Sequence, residues 1–338
     1  MSDGLPSISV VIPNWNGRQW LAGCLGSLSR QGTRPLEVIV VDNGSTDGSL
    51  EELSRCHPDV SVLALGRNNG FAFAANRGIE AARGEVVALL NTDVVLEDGW
   101  LRQTCAAIAS HPGAASVACK MLSLDEPERV YDAGDILRRD GACEQRGRFM
   151  LDDGRWDQPG EVFGACAGAA LYRRDAVLSV GGFDERYFAY LEDVDLALRL
   201  RLGGWTCRYE PAVAYHAGEG SSHQLEGGHV RLVERNTLLL VVKAFPLRWL
   251  PLVVYRQLGW AWHALRRGDL RNHLSGAVDA LPMMSGVLRA RRVLRADARL
   301  RMAEVVPSRP IRGAAAGGHP SQFGAESAGA GPRPLRHR

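Results

Sequence analysis

Within the first 95 residues, apolar runs alternate with helical patterns in strict order. Ile8–Ile12, Leu36–Val41, Val60–Leu65 and Val86–Leu90 read as strands, with helical periodicity over Trp20–Gln31, Ser49–Arg55 and Ala72–Ala82 between them. Strands that carry no polar alternation are covered on both faces, and regular βα succession is met by parallel strands joined through helical crossovers. The expected fold is therefore α/β, a mixed and mainly parallel Rossmann-like sheet with helices on both faces. Ser49 and Glu52 stand at capping-box spacing at the start of the second helix.

The fourth strand ends on Asn91-Thr92-Asp93. Alternate residues of an extended chain point the same way, so Asn91 and Asp93 share a face. A carboxylate and an amide at the carboxyl edge of a sheet suit a hard divalent cation that also binds phosphate oxygens. A strand followed by a polar turn would read the same way. Pro13-Asn14-Trp15-Asn16-Gly17 follows the first strand, and Asp42-Asn43-Gly44-Ser45-Thr46-Asp47-Gly48 follows the second. A carboxylate there can accept the imide N–H of uracil or thymine, and Trp15 can pack against the base. The plainer alternative is a pair of helix-capping turns, with Asp47 at a helix start. No G-x-G-x-x-G follows the first strand and no G-x-x-x-x-G-K-[ST] occurs, which excludes a dinucleotide dehydrogenase or a P-loop enzyme.

Residues 120–165 mix Gly, Asp and Arg with short apolar stretches, the pattern of loops and antiparallel strands that extend a sheet. Helices are expected at Asp175–Val180 and Glu192–Leu202, the second ended by Gly203-Gly204, and a strand at Thr206–Tyr215. Glu192-Asp193-Val194-Asp195 opens the second of these helices, where acidic side chains ordinarily complement the helix dipole. Residues three apart share a helix face, which pairs Glu192 with Asp195 and leaves Asp193 pointing elsewhere.

Charge divides the chain. Residues 231–338 hold 19 Arg/Lys against 6 Asp/Glu, a net +13, while residues 1–230 carry a net −11. A basic tail on an acidic body points to a polyanionic partner. Asn236–Leu265 is dense in Leu and Val, with Trp249, Tyr255, Trp260 and Trp262 among Lys243, Arg248 and Arg256. No stretch reaches the ~18 uncharged apolar residues of a spanning helix. Helices lying in an anionic membrane interface fit this pattern, and a soluble helical cap is the rival. Nucleic acid is not expected as a partner, because the body carries no recognition motif. The seven scattered cysteines suit a reducing compartment, and the absence of a basic, apolar leader points to a cytosolic body attached peripherally to the inner membrane face.

The succession of residues 10–17, 38–49, 68–78 and 89–93, resumed at 164–170, 181–185 and Tyr-Leu-Glu-Asp-Val-Asp-Leu (190–196), resembles family 2 glycosyltransferases with the GT-A fold. The likeness covers about residues 7–225, and within the family it is most similar to the bacterial rhamnosyltransferase-like branch. It implies an inverting transfer of a sugar from a dTDP- or UDP-sugar to a hydroxyl of a glycan or lipid-linked acceptor. Residues 1–120 would be the nucleotide-sugar half, 121–230 the acceptor-binding and catalytic half, 231–306 a basic amphipathic helical extension and 307–338 a disordered tail. Pro13, Trp15 and Asp42 would bind the nucleoside, and Asn68, Gly70 and Asn76 would shape the loop and helix around ribose and diphosphate. Asn91-Thr92-Asp93 stands where the family carries D-x-D, with Asn91 replacing the first aspartate and Asp93 as the ligand of Mg²⁺ or Mn²⁺. His216 would complete the metal shell or touch the diphosphate. Asp193 matches the catalytic base, and the clustering of Glu192, Asp193 and Asp195 should raise at least one pKa, as a base for a sugar hydroxyl requires. A sugar-nucleotide pyrophosphorylase, or a binding protein without catalysis, are the alternatives.

Overall fold

The computed structural model describes residues 4–218, 228–306 and 308. The tail expected to be disordered, 307–338, lies outside the described residues apart from Ser308. In chain order the first units are β1 (Ile8–Asn14), α1 (Arg18–Ser29), β2 (Glu37–Asp42), α2 (Ser49–Cys56), β3 (Ser61–Ala64), α3 (Phe71–Ala81) and β4 (Val86–Leu90). These strands lie side by side as β3-β2-β1-β4, all parallel. The chain continues through β5 (Val94–Leu96), α4 (Trp100–Ser110), β6 (Ala114–Ser123), β7 (Val130–Asp132), β8 (Asp135–Leu137), β9 (Cys143–Gln145), β10 (Gly160–Val162), β11 (Ala169–Arg173), α5 (Arg174–Ser179), α6 (Glu192–Leu202) and β12 (Thr206–His216). Beyond β4 the sheet runs β11-β6-β12-β10, with β11 antiparallel to both neighbours and β12 parallel to β6. The segment 120–165 thus supplies the antiparallel strands expected of it.

β1 and β4 are buried on both sides, whereas the edge strand β3 is largely exposed. Val10 and Ile12 pack with Leu21, Cys24, Leu53 and Trp100 under α1, α2 and α4. Val11 faces Ala75, Ile79, Val177 and Leu196 under α3, α5 and α6. Gly78 lets α3 sit this close, since a Cβ there would lie 2.2 Å from Val11 Cγ1. Residue 120 falls within β6, so the two halves separated at that point share one sheet. One local expectation is overturned. Ser49 and Glu52 form no capping box: the N-cap of α2 is Gly48, Asp47 accepts from the Ser49 N–H at 3.1 Å, and Glu52 is drawn to Arg18 Nε at 2.7 Å.

Five helices follow, α7 (Gly228–Ala244), α8 (Leu250–Arg267), α9 (Leu270–Ala280), α10 (Met284–Asp297) and α11 (Met302–Val305). Leu239, Leu240, Phe245, Trp249 and Val287 pack against Val194, Leu198 and Leu202 on the outer side of α6. Among the described residues no helix is long and apolar enough to cross a membrane. α7 is a buried cap, whereas α8–α10 leave Leu258, Trp262, Val278 and Val293 more than half exposed.

Candidate active site

A cleft of about 810 Å³ opens at the carboxyl edge of the sheet and is lined by Pro13, Trp15, Asn68, Asn91, Asp93, Asp193 and His216. β5 is antiparallel to β12 and pairs Val94 with His216, which brings the end of one strand beside the triplet at the end of another. His216 Nε2 lies 3.6 Å from Asp93 Oδ1 and 3.3 Å from Asn91 Nδ2. Asp93 Oδ2 is buried with no hydrogen-bond partner. Burial pushes the His216 pKa below its ordinary value, against the pull of the Asp93 charge, so the ring is neutral at pH 7. Gly218 N–H donates to Nδ1 at 2.8 Å, which puts the proton of that neutral ring on Nε2. Of the two roles expected of His216, this tautomer suits a donor to phosphate better than a metal ligand. Two residues that carry no sequence signal complete the wall. Tyr131 stacks on His216 with centroids 4.3 Å apart, and the Arg148 guanidinium lies 3.9 Å over the Tyr131 ring.

Two residues expected at the donor site, Asp42 at the end of β2 and Asn76 in α3, are bonded within the chain. Asp42 is buried beneath the cleft and does not line it: Oδ1 accepts from Asn14 Nδ2 at 3.0 Å, and Oδ2 from the N–H groups of Gly44 and Ser45. The turn engages this carboxylate, and Asn14 and Asn43 line the cleft beside it, Asn43 being bonded to Asn68, Asn69 and Gly70. Asn76 also turns away. Its Nδ2 donates to the Phe183 carbonyl at 2.9 Å and its Oδ1 accepts from the Phe183 N–H at 2.7 Å, clamping the segment before α6. A helical asparagine beside a tight Gly181-Gly182 turn finds backbone partners before a ligand can reach it. Asn68 does line the cleft, and its Oδ1 accepts from Gly70 N–H and Asn43 Nδ2. Gly70 shapes the loop with φ +90°, where a Cβ would lie 2.6 Å from the Phe188 ring.

The segment leading into α6 is held in unusual backbone conformations. Phe188, Tyr190 and Leu191 have φ of 64°, 70° and 64°. Such residues cost of order 1–3 kcal/mol each and persist only where the surroundings over-determine them. Here Asn236 of α7, fully buried, donates to the carbonyls of Tyr187, Ala189 and Tyr190 at 2.7–3.0 Å.

The three carboxylates of α6 then part company. Asp195 points away from the cleft to Lys243 Nζ at 2.7 Å and Arg199 Nε at 2.7 Å. Glu192 lines the cleft together with Asp193, so the helical pairing of Glu192 with Asp195 does not hold. The cleft wraps the open end of the helix, where side chains about 100° apart can reach the same space.

Asp193 sits among other acids. Burial raises its pKa, opposed by the N–H groups of Ala167 and Val194, which donate at 3.1 and 2.8 Å. Burial, and then the charge on Asp193, push Glu192 and Asp135 well above the ordinary carboxylate range. Asp132 is pushed up to about 7, chiefly by burial. Glu192 Oε2 and Asp135 Oδ2 have no hydrogen-bond partner. Buried acids this close do not all ionise, and the two backbone N–H groups on Asp193 favour its charged form. Asp132 and Asp135 bracket a tight turn between two three-residue strands, which gives no period from which to read them.

A strand-edge cleft with a lone carboxylate beside a neutral histidine, facing a buried aspartate, suits a phosphate-bearing donor and a hydroxyl acceptor. The family model "Glycosyl transferase family 2" matches residues 9–181. The chain belongs to glycosyl transferase family 2. The protein is thus a glycosyltransferase, as the motifs at residues 10–17, 38–49 and 89–93 implied, and the pyrophosphorylase and binding-protein alternatives fall away. An N-acetylglucosaminyl-diphospho-decaprenol L-rhamnosyltransferase of Mycobacterium tuberculosis is 31% identical over 304 residues, 81% of this chain and 92% of its own length. A pre-mycofactocin glycosyltransferase of the same species is 34% identical over 60% of this chain and 41% of its own. Among solved structures, GalNAc-T7 with UDP, GalNAc and Mn²⁺ aligns at TM-score 0.59 and 16% identity, over 72% of this chain and 49% of that one. The mannosyltransferase PcManGT from Pyrobaculum calidifontis aligns at TM-score 0.50 and 17% identity, over 87% and 86%. These likenesses are of fold, and the fold is GT-A.

Proposed function

We propose that this glycosyltransferase moves a sugar, with inversion, from a dTDP- or UDP-sugar to a hydroxyl of a sugar already linked through diphosphate to a lipid. The rhamnosyltransferase relative, named for such an acceptor and matched over nearly its whole length, supports the acceptor class and makes dTDP-rhamnose the first donor to try. The observation that carries the reading is the unpartnered Asp93 Oδ2 beside His216 in the same cleft as Asp193.

The residues fit a hard divalent cation, Mg²⁺ or Mn²⁺, of the kind named with the GalNAc-T7 and PcManGT structures. Among the described residues no three His, Cys, Asp or Glu side chains group as a metal cage. Asp93 would hold the ion with the donor's phosphates and water as the remaining ligands, a shell that Mg²⁺ commonly takes. When bound, the cation supplies positive charge opposite the departing diphosphate. His216, neutral and with its proton on Nε2, donates to the same phosphate oxygens. Trp15 and Pro13 wall the nucleoside end. Asp193 accepts the proton of the attacking acceptor hydroxyl, and its burial supplies the basicity. α8–α10 rest on an anionic leaflet, which brings the lipid-linked acceptor to the cleft; the +13 charge of residues 231–338 supports this placement.

Calorimetry with Mn²⁺ and dTDP or UDP tests the donor side. Asp93→Ala should abolish Mn²⁺-dependent nucleotide binding and turnover. Unchanged affinity and activity would remove Asp93 from the site.

A further inference from the structure

α8 carries two faces of different chemistry. Arg256, Trp260, His263 and Arg267 follow one another at intervals of four, three and four residues, so they form a single stripe. All four line the same cleft as Asp93. Leu258, Trp262 and Leu265 lie about 180° round the helix at 100° per residue, and all three are more than half exposed.

The inner stripe has unmet hydrogen-bonding capacity. Arg256 Nε and His263 Nε2 are buried without a hydrogen-bond partner. The Arg256 guanidinium stacks over Trp260 at 5.5 Å, which holds its plane. Two carboxylates of the lining are engaged elsewhere. Glu234 Oε1 accepts from Gln257 Nε2 at 3.1 Å and its Oε2 lies 3.3 Å from His273 Nδ1. Asp269 Oδ1 accepts from Asn272 Nδ2 at 3.4 Å. Burial pushes Glu234 up to about 7, which limits its repulsion of an anion.

We propose that the Arg256–His263–Arg267 stripe binds the diphosphate joining the acceptor sugar to its lipid, an inference that rests on the acceptor class proposed above. A planar guanidinium fork matches phosphate oxygens, and paired basic side chains match a diphosphate. The acceptor sugar then occupies the stretch of cleft between the stripe and Asp193, walled by Tyr190 and His229. The lipid passes over α8 to the apolar flank of Leu258, Trp262 and Leu265, so one helix serves both ends of an amphipathic substrate.

The test is steady-state kinetics of the full chain, with an N-acetylglucosaminyl diphosphate carrying a farnesyl chain as acceptor and dTDP-rhamnose or UDP-sugars as donors. Arg256→Gln with His263→Asn, and separately Arg267→Gln at an exposed position, should raise the acceptor KM about 10-fold to 100-fold. The donor KM and Mn²⁺-dependent dTDP binding should stay unchanged. Farnesyl diphosphate should compete with the acceptor in the wild type and lose that competition in the variants. An unchanged acceptor KM in both variants, with the wild type turning over, overturns the subsite and leaves the proposed function standing. Transfer by the wild type only to acceptors without a diphosphate overturns the acceptor class and the subsite with it.

Discussion

In the sheet-bearing part of the molecule, residues 4–218, five large hydrophobic side chains are exposed; in the much shorter helical part, residues 228–306, there are fourteen. The sheet covers most of its own apolar surface, because its central parallel strands β1 and β4 have helices on both sides. α8–α10 have only one side to pack against. Yet the inner side of the helical part is committed to α6 and the segment before it. Asn236 holds the strained segment before Asp193, and Lys243 bridges Asp184 and Asp195, each at 2.7 Å. The difference teaches that the helical part is neither a detachable anchor nor a plain cap. One of its sides braces the segment before Asp193 and the other exposes apolar side chains.

The largest effect should separate the roles within α6. Asp193→Asn keeps the shape and removes the basicity, so transfer should fall about 10²–10⁴-fold while donor binding survives. Asp195→Asn should instead lower the melting temperature, because its partners are Lys243 and Arg199. Near-normal turnover of Asp193→Asn with both substrates saturating would move the base to a neighbour. Because burial raises the Asp193 pKa, the acid limb of kcat/KM should lie above the ordinary carboxylate range, with activity lost as pH falls through it.

Next in size is the bond between the two parts. Lys243→Met removes the cation shared by Asp195 and Asp184 and leaves each with a single arginine, Arg199 and Arg186; breaking a buried pair costs up to about 3–5 kcal/mol. A large fall in melting temperature of the whole chain is expected. A melting curve that loses only a separate helical transition would show two independent units.

On the outer side, Leu258→Ser with Trp262→Ser should weaken sedimentation with anionic vesicles, each side chain contributing about 1.5–3 kcal/mol if fully buried in the bilayer. Donor binding should be untouched. Equal partitioning of variant and wild type would return the region to the soluble-cap reading.

The smallest effect probes the buried acid of α7. The Glu234 pKa is about 7 in the folded chain against 4.5 ordinarily, so its contribution is most favourable below pH 4.5 and is lost as pH rises through 7. Glu234→Gln should match the wild type near pH 5 and exceed it by about 1–3 kcal/mol at pH 8. A difference independent of pH would show that Glu234 is charged throughout.

What the sequence determined by itself is the parallel half and its edge. Strand and helix periods are local, so β1 to β4 and the polar triplet at Asn91–Asp93 are legible from neighbours in the chain. The position of α6 and the family motifs follow from the same short-range patterns. Tertiary structure decided which polar side chains remain free for chemistry. Asp42 is taken by Asn14 and by its own turn, Asn76 by Phe183, and Glu52 by Arg18 rather than by a capping box. Tyr131, Asp135 and Arg148 reach the site from loops and very short strands that have no period to read. Asn236 meets residues 46 to 49 positions earlier in the chain. Such pairings depend on which surfaces packing brings together, and a buried polar group takes the nearest partner that geometry offers, wherever it lies in the sequence.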